Sequence, residues 1–223
     1  MFIIETYSTA VLLCLVTMLC WGSWANTQKM TSAGWRFELF YWDYVVGILL
    51  ASILLAFTLG SSGLEGRGFL VDLGQASSEA LRSAFVGGVV FNAANILLVA
   101  AIGIAGMSVA FPVGIGIALV LGVLVTYLDA PVGNAWLIFG GVAMITVAII
   151  LNAMAYRQTG SSRGMSTKGL VLSVLSGCLM GLFYRYVAAA MALDFARPSA
   201  GLLTPYTALV LFACGVFASS FVF

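Results

Sequence analysis

The sequence predicts an all-α polytopic membrane protein, and three observations carry that reading. Nine basic and eight acidic residues are spread over 223, and nearly all lie in short gaps between long apolar runs. Hydrophobic residues make up 62% of the chain and charged ones 8%, with a mean hydropathy of +1.12, against about 25% charged in an ordinary soluble domain. Seven of the apolar runs reach membrane-spanning length, for which a helix needs roughly 20 residues. A helix is the expected form because hydrocarbon offers the backbone no outside hydrogen-bond partner.

Those spans fall at about 6–26, 40–60, 82–104, 107–128, 134–156, 170–192 and 202–223. The first follows Met1-Phe2-Ile3-Ile4-Glu5 with no basic segment before it and no A-x-A cleavage site after it, so it reads as a retained helix. The first, fourth and sixth carry glycine and small residues that permit close helix approach. Between the second and third lies the longest gap, Ser61 to Leu81, with a short amphipathic piece at Gly68-Phe69-Leu70-Val71-Asp72-Leu73. The third and fourth are joined by almost nothing, which requires a tight hairpin near Gly103 and Gly106.

Orientation follows from the positive charges. An outside N-terminus puts Lys29, Arg36, Arg157, Arg163 and Lys168 in the cytoplasm and leaves Arg67, Arg82 and Arg197 opposite. The loop 157–169 is then cytoplasmic, and the expected location is a plasma or inner membrane.

An internal repeat is also expected. Cys20-Trp21-Gly22-Ser23-Trp24 resembles Leu179-Met180-Gly181-Leu182-Phe183, and Asp43-Tyr44 opens the second span much as Pro205-Tyr206 opens the seventh. Residues 1–156 would form one five-helix unit, 157–169 a short basic linker and 170–223 the start of a second unit. An odd number of spans per unit inverts the second relative to the first, the plan of many secondary transporters. Phe223 falls in the middle of an apolar run, so about three further helices are expected beyond it.

Several function classes are excluded. A net charge of +1 without a basic run does not suit nucleic acid. There is no histidine, and Cys14, Cys20, Cys178 and Cys214 lie within apolar runs without CxxC spacing. They read as small core residues rather than a disulfide framework or zinc site. No HExxH, GxSxG, Walker A loop or GxGxxG after a strand is present, so neither an enzyme nor a resident metal or cofactor is expected.

Function must then lie in the polar residues that interrupt the spans. Arg185, flanked by Tyr184 and Tyr186, lies about 15 residues into the sixth, roughly 23 Å along its axis. A guanidinium at that depth costs at least ~2.5 kcal/mol without water or a partner. It either faces an aqueous cavity as a substrate contact or snorkels toward Asp194. Asn92 and Asn95 share a face of the third span and serve either as interhelical glue or as partners of a polar ligand. Asn152 reads as structural.

Trp21 and Trp24 share a face of the first span, as interfacial belt residues or as an aromatic wall for a flat ligand. Trp35, Tyr41 and Trp42 read as belt residues. Pro112, with Gly114 and Gly116, interrupts the fourth span as a kink or a mobile break. Glu5 and Asp43 are the carboxylates nearest the membrane, either solvated or carriers of a coupling proton.

The opening segment with Leu19-Cys20-Trp21-Gly22-Ser23-Trp24 resembles the start of the ureide permeases. Tyr41-Trp42-Asp43-Tyr44, Leu55-Ala56-Phe57-Thr58-Leu59-Gly60, Phe69-Leu70 with Leu73 and Gln75, Gly87-Gly88 to Asn95, Tyr127-Leu128-Asp129 and Phe139-Gly140-Gly141-Val142 continue the likeness through the fifth span. The resemblance implies the drug/metabolite transporter superfamily, beside glucose, ribose and rhamnose porters. It also implies ten helices in two inverted halves, and proton-linked uptake of ureides and nucleobases such as allantoin and uracil. Plant members carry a long central loop with a nucleotide-binding-like motif. Residues 157–168 are short and lack one, so no ATP role carries over.

The reading that results is a secondary transporter working by alternating access. Its expected substrate site is Trp21, Trp24, Asn92, Asn95, Tyr184 and Arg185, with Glu5 and Asp43 as proton-coupling candidates. The bilayer, a small polar solute, protons and a second copy of the chain are the candidate partners. A sugar porter, a multidrug or metabolite exporter, and a membrane receptor or scaffold remain as alternatives.

Overall fold

The computed structural model describes residues 1–30, 37–158 and 166–222, and within these it leaves out some side chains, those of Trp24, Lys29, Asn152 and Arg157 included. The expectations for Trp35 and for the side chains of Trp24 and Asn152 therefore lie outside the described residues. Among the described residues eight helices follow in order: α1 Tyr7–Met30, α2 Phe37–Phe57, α3 Phe69–Gln75, α4 Ser78–Ala105, α5 Met107–Asp129, α6 Ala135–Gln158, α7 Thr167–Ala190 and α8 Pro205–Ser219. Among the described residues there is no strand, only a single bridge between Met191 and Leu203.

Seven of these helices coincide with the expected spans, and α3 is the amphipathic piece. Four stretches are long and apolar enough to cross a membrane: Leu39–Phe57, Ser78–Ala105, Val109–Asp129 and Thr167–Ala190. The apolar stretches Tyr7–Ser23, Ala135–Leu151 and Pro205–Ser219 have 10–17 residues. Thus four spans, rather than seven, meet the length criterion among the described residues.

Local chemistry sets the helix ends. Ser77 caps α4 by accepting the Ala80 N–H at 3.1 Å, and Glu79 places a carboxylate on the positive end of its dipole. Gly106 takes φ +82°, a left-handed conformation open to glycine, and its N–H bonds the carbonyl of Ile102 to close α4 before α5 begins. Thr204 with Pro205 at the first helical position opens α8. Pro112 does not end the helix. The α-helix runs continuously from Met107 to Asp129 with Pro112 inside it.

Helix α4 is the central element. It runs antiparallel to α7, since Gly87 lies against Phe183 and Val187 while Ala105 lies against Gly169. It runs parallel to α8, where Gly88 meets the backbone of Phe212 and Val216 and Gly215 meets the carbonyl of Phe85. Helix α5 runs parallel to α7. A Cβ added to Gly177 would lie 2.5 Å from the Gly114 carbonyl, and one added to Gly181 would lie 3.1 Å from that of Ala118. Helix α6 packs outside α5, antiparallel to it, through Gly116 against Ile149 and Tyr127 against Phe139. Helix α2 lies antiparallel to α8, with Ala56 and Val210 in one cluster and Trp42 on Phe217 and Phe221.

Small residues thus bring backbones together, as lipid-embedded helices require in the absence of a hydrophobic driving force between them. The expectation is met in α5 and α7. In α1 a Cβ on Gly22 would meet nothing within 4 Å, and Tyr7, Leu12, Met18 and Leu19 are each 60% or more exposed. Two cysteines also depart from their expected core positions. Cys14 and Cys20 are exposed on this same helix, while Cys178 and Cys214 are half-buried and free.

Candidate functional site

Halfway along α4 an apolar stripe is interrupted by two carboxamides. Asn92 lies 14 residues after Ser78 and 13 before Ala105, and Asn95 sits one turn on, so both point to the same side. Asn92 is fully buried and Asn95 is 3% exposed. An amide taken out of water without partners costs several kcal/mol in an apolar medium, and α2 and the end of α8 meet this requirement.

From α2, the Tyr41 hydroxyl donates to Asn92 Oδ1, and it accepts from Asn95 Nδ2 at 3.3 Å. From the end of α8, the Oγ atoms of Ser219 and Ser220 accept from Asn92 Nδ2 at 2.9 and 3.1 Å. Helix α7 joins through Ser176, whose hydroxyl donates to the Ala94 carbonyl at 2.7 Å. The arrangement is a neutral network of carboxamide, phenol and serine hydroxyl groups, able to match the N–H and C=O edges of an uncharged polar molecule.

Tyr41 is therefore not the belt residue that its neighbourhood suggests. It is 6% exposed, and the two asparagines account for its position. Tyr41, Ser219 and Ser220 are the members of this network that the sequence reading did not include. A Tyr on an aromatic-rich helix end resembles an interfacial anchor, and serines in a small-residue helix read as packing.

The expected site residues divide into two groups. Trp21 approaches the network, its ring edge-on to Phe91 with centroids 6.1 Å apart. Phe91 in turn contacts Phe183 and Phe212 at 5.1 and 5.2 Å, which gives the amide cluster an aromatic border. Trp21 is 40% exposed, so one side of its ring remains open.

Tyr184 and Arg185 are not brought to Asn92 and Asn95. Arg185 lies five residues before the end of α7, and its Nε donates to Asp129 Oδ2 at 3.0 Å, with both side chains about half exposed. The glycine seam explains that position. Gly177, Gly181 and Arg185 are spaced four apart on the face that meets α5, so Arg185 continues the seam to the last residue of α5. The alternative partner Asp194 instead caps the N–H groups of Ala196 and Arg197. Tyr184 is 46% exposed.

Glu5 and Asp43 are both exposed. The carboxylate that the fold encloses is Asp72 of α3, which is fully buried and paired with Arg67 at 2.9 Å. Two open grooves, about 540 and 310 Å³, lie on α5 and α6, the first lined by Val123, Thr126, Tyr127 and Ile138. Neither borders the amide network. Among the described residues no group of three or more His, Cys, Asp or Glu side chains is placed to hold a metal.

Comparison with known proteins places this sequence. The sequence profile described as "Ureide permease" matches residues 40–168, which is 129 of 223 residues and includes Tyr41, Asp72, Asn92, Asn95 and Asp129. Ureide permease 1 of Arabidopsis thaliana is 28% identical over 163 residues, covering 72% of this chain and 42% of that protein. Ureide permease 2 of the same plant is 28% identical over 163 residues, covering 71% and 41%. Probable ureide permease A3 of Vigna unguiculata is 26% identical over 166 residues, covering 72% and 44%. The chain thus spans about two fifths of the length of these relatives, and no solved structure matches it. With its long apolar helices it is a multi-pass integral membrane protein, and the match over more than half its length identifies its kind: the chain belongs to the ureide permease family.

Proposed function

We propose that this chain works in a secondary transporter that takes up a small, uncharged polar solute by alternating access. Ureides and nucleobases such as allantoin and uracil are the preferred substrates. One observation carries the reading: a buried network of Tyr41, Asn92, Asn95, Ser219 and Ser220 halfway along the central helix. Polar side chains at such depth are costly and mark binding sites and pathways in membrane proteins. Ureides and nucleobases present alternating N–H and C=O groups on flat frames, which suit carboxamides beside an aromatic border. In this conformation the amides are satisfied by protein groups. A solute would replace the serine hydroxyls or the Tyr41 phenol as partners, entering past Trp21.

A ten-helix transporter arranged as two inverted five-helix halves would belong to the drug/metabolite transporter superfamily, beside the sugar porters. The antiparallel packing of α2 on α8 supports an inverted relation between those two helices. Residues 1–156 would be the first half, 157–169 a cytoplasmic linker and 170–223 the start of the second half, with the N-terminus outside. Trp21, Asn92 and Asn95 form the preferred solute site, with Trp24 on the same helix. Tyr184 and Arg185 would act from the entrance rather than the centre. Protons are the proposed coupling ion, with Glu5 and Asp43 as carriers.

The test is uptake of labelled allantoin, uracil and glucose into proteoliposomes of the full chain, with and without an inward proton gradient. Gradient-dependent accumulation of allantoin or uracil is the expected result. Accumulation of glucose alone would reassign the substrate to sugars, and absence of flux for all three would reject the transporter reading.

A further inference from the structure

The connection between α2 and α4 and the connection between α7 and α8 lie on the same face of the bundle and are bonded to each other. Arg67 is the centre of that junction. Its Nε donates to Asp72 Oδ1 at 2.9 Å, Nη1 to the Pro198 carbonyl at 2.9 Å, and Nη2 to the carbonyls of Ser199 and Leu202 at 3.0 and 2.6 Å. Asp72 Oδ2 accepts from the backbone N–H and hydroxyl of Thr204 at 2.7 and 2.9 Å, where α8 begins. Gln75 donates to the Leu202 carbonyl at 3.0 Å and accepts from the Gly201 N–H at 2.6 Å. Backbone bonds from Gly66 to Ala196 and from Ser77 to Gly201 complete the junction.

Two properties separate this junction from ordinary loop packing. Asp72 and Thr204 are fully buried, and the Arg67 side chain is only 18% exposed, so the pair is shielded from the screening that weakens surface ion pairs. The bonds also run across the chain rather than along it. Residues 66–77 join α2 to α4, and residues 196–204 sit between α7 and α8. Rocking of one unit against the other exposes a central site to each face in turn, and it must open such cross-connections on the face that opens. Beneath the junction lies a sealed layer of Ala80, Ala84, Ala190, Leu203 and Ala208.

We propose that the Arg67–Asp72 junction is a gate, closed in this conformation, that breaks and re-forms as this face of the transporter opens and shuts. The inference rests on the transporter reading above. Arg67 suits a gate because its planar fork holds one carboxylate and three carbonyls at once, so a small displacement of residues 196–204 releases several bonds together.

The experiment locks the gate and then weakens it. A Cβ built on Gly201 lies 3.6 Å from Ser77 Cβ, within the roughly 3.5–4.5 Å that a disulfide spans. In a background lacking Cys14, Cys20, Cys178 and Cys214, the pair Ser77→Cys and Gly201→Cys is oxidised in the full protein in proteoliposomes. Disulfide formation is verified by mass, and solute flux is measured before and after reduction. A gate requires flux to fall by about tenfold or more on oxidation and to return on reduction. Equal flux in both states overturns the proposal, because a permanent tie can be cross-linked without consequence.

The second arm avoids strain at Gly201, whose φ is +82°. Ala208, 1% exposed beneath the junction, is replaced by cysteine and its labelling by a membrane-impermeant maleimide is timed. Arg67→Gln should accelerate labelling by about tenfold, the loss expected for hydrogen bonds to a charged group, and Arg67→Lys by less. An unchanged rate in folded Arg67→Gln protein counts against the gate, and if that variant fails to fold the disulfide decides. Absence of flux in the unmodified protein would instead reject the transporter reading, leaving the labelling arm to judge whether the junction opens at all.

Discussion

Gly88 and Gly215 sit face to face where α4 crosses α8, and each lies so close to the opposite backbone that neither position has room for a methyl group. The groups they approach, the carbonyls of Phe212 and Phe85, are backbone and cannot rotate away. Overpacking of a well-filled interior costs about 1–3 kcal/mol. Gly88→Ala and Gly215→Ala are therefore expected to destabilise by at least ~1 kcal/mol each. Gly22→Ala, which meets nothing within 4 Å, should be neutral or slightly stabilising. Thermal unfolding of purified protein, followed by circular dichroism, checks the contrast.

The amide network supports a second prediction. Tyr41→Phe removes the hydroxyl that joins Asn92 to Asn95 and should cost about 1 kcal/mol, as hydrogen bonds between membrane helices do. Asn92→Leu removes the link to Ser219 and Ser220 as well. On the proposed function, Asn92→Leu loses solute binding while retaining its helix content, and Asn95→Ala raises the apparent KM. Full binding by Asn92→Leu, measured by scintillation proximity, would reduce these asparagines to glue.

Arg185 and Asp129 form an exposed pair, and such pairs contribute about 0–1 kcal/mol. Arg185→Ala should therefore insert and fold with unchanged thermal stability. Loss of uptake is expected in the same variant if the guanidinium acts at the entrance of the path. Unimpaired uptake would confine it to the α5–α7 seam, and Asp129→Asn should then match it.

Asp72→Ala is expected to be the most damaging of these changes. It leaves Arg67 largely enclosed without its carboxylate and the N–H of Thr204, the residue before α8, without an acceptor. Breaking a buried pair on one side costs about 3–5 kcal/mol. Expression level and melting temperature report it, and Asp72→Asn, which retains an acceptor for Thr204, should recover part of the loss.

The helices were legible because their signal is simple. An uncharged run of spanning length and the glycine at 106 determine where α4, α5 and their turn lie. Asn92 and Asn95 were found from sequence because carboxamides stand out in an apolar run. Their partners were not, because Tyr41, Ser219 and Ser220 each match a common structural role and only the packing of α2 and α8 on α4 gathers them. Asp72 was hidden for another reason. In a polar connection a carboxylate carries no anomaly, and its burial depends on residues 196–204, more than a hundred positions away. Arg185 stood out, but the distance along its helix did not say toward which neighbour it points; that depends on the seam of Gly177 and Gly181.

Helix α8 is held by side chains at both extremities, by Asp72 at Thr204 and by Asn92 at Ser219. Its 15 residues measure about 22 Å, with the contact of Gly215 near one end. It is thus a strut whose two anchors are a carboxylate in a surface connection and a carboxamide at the centre of the bundle. Axial sliding would strain both anchors together, whereas pivoting about Gly215 moves the Thr204 end far and the Ser219 end little. Such a pivot would have unequal arms, so a large excursion at the surface would correspond to a small adjustment among the amides.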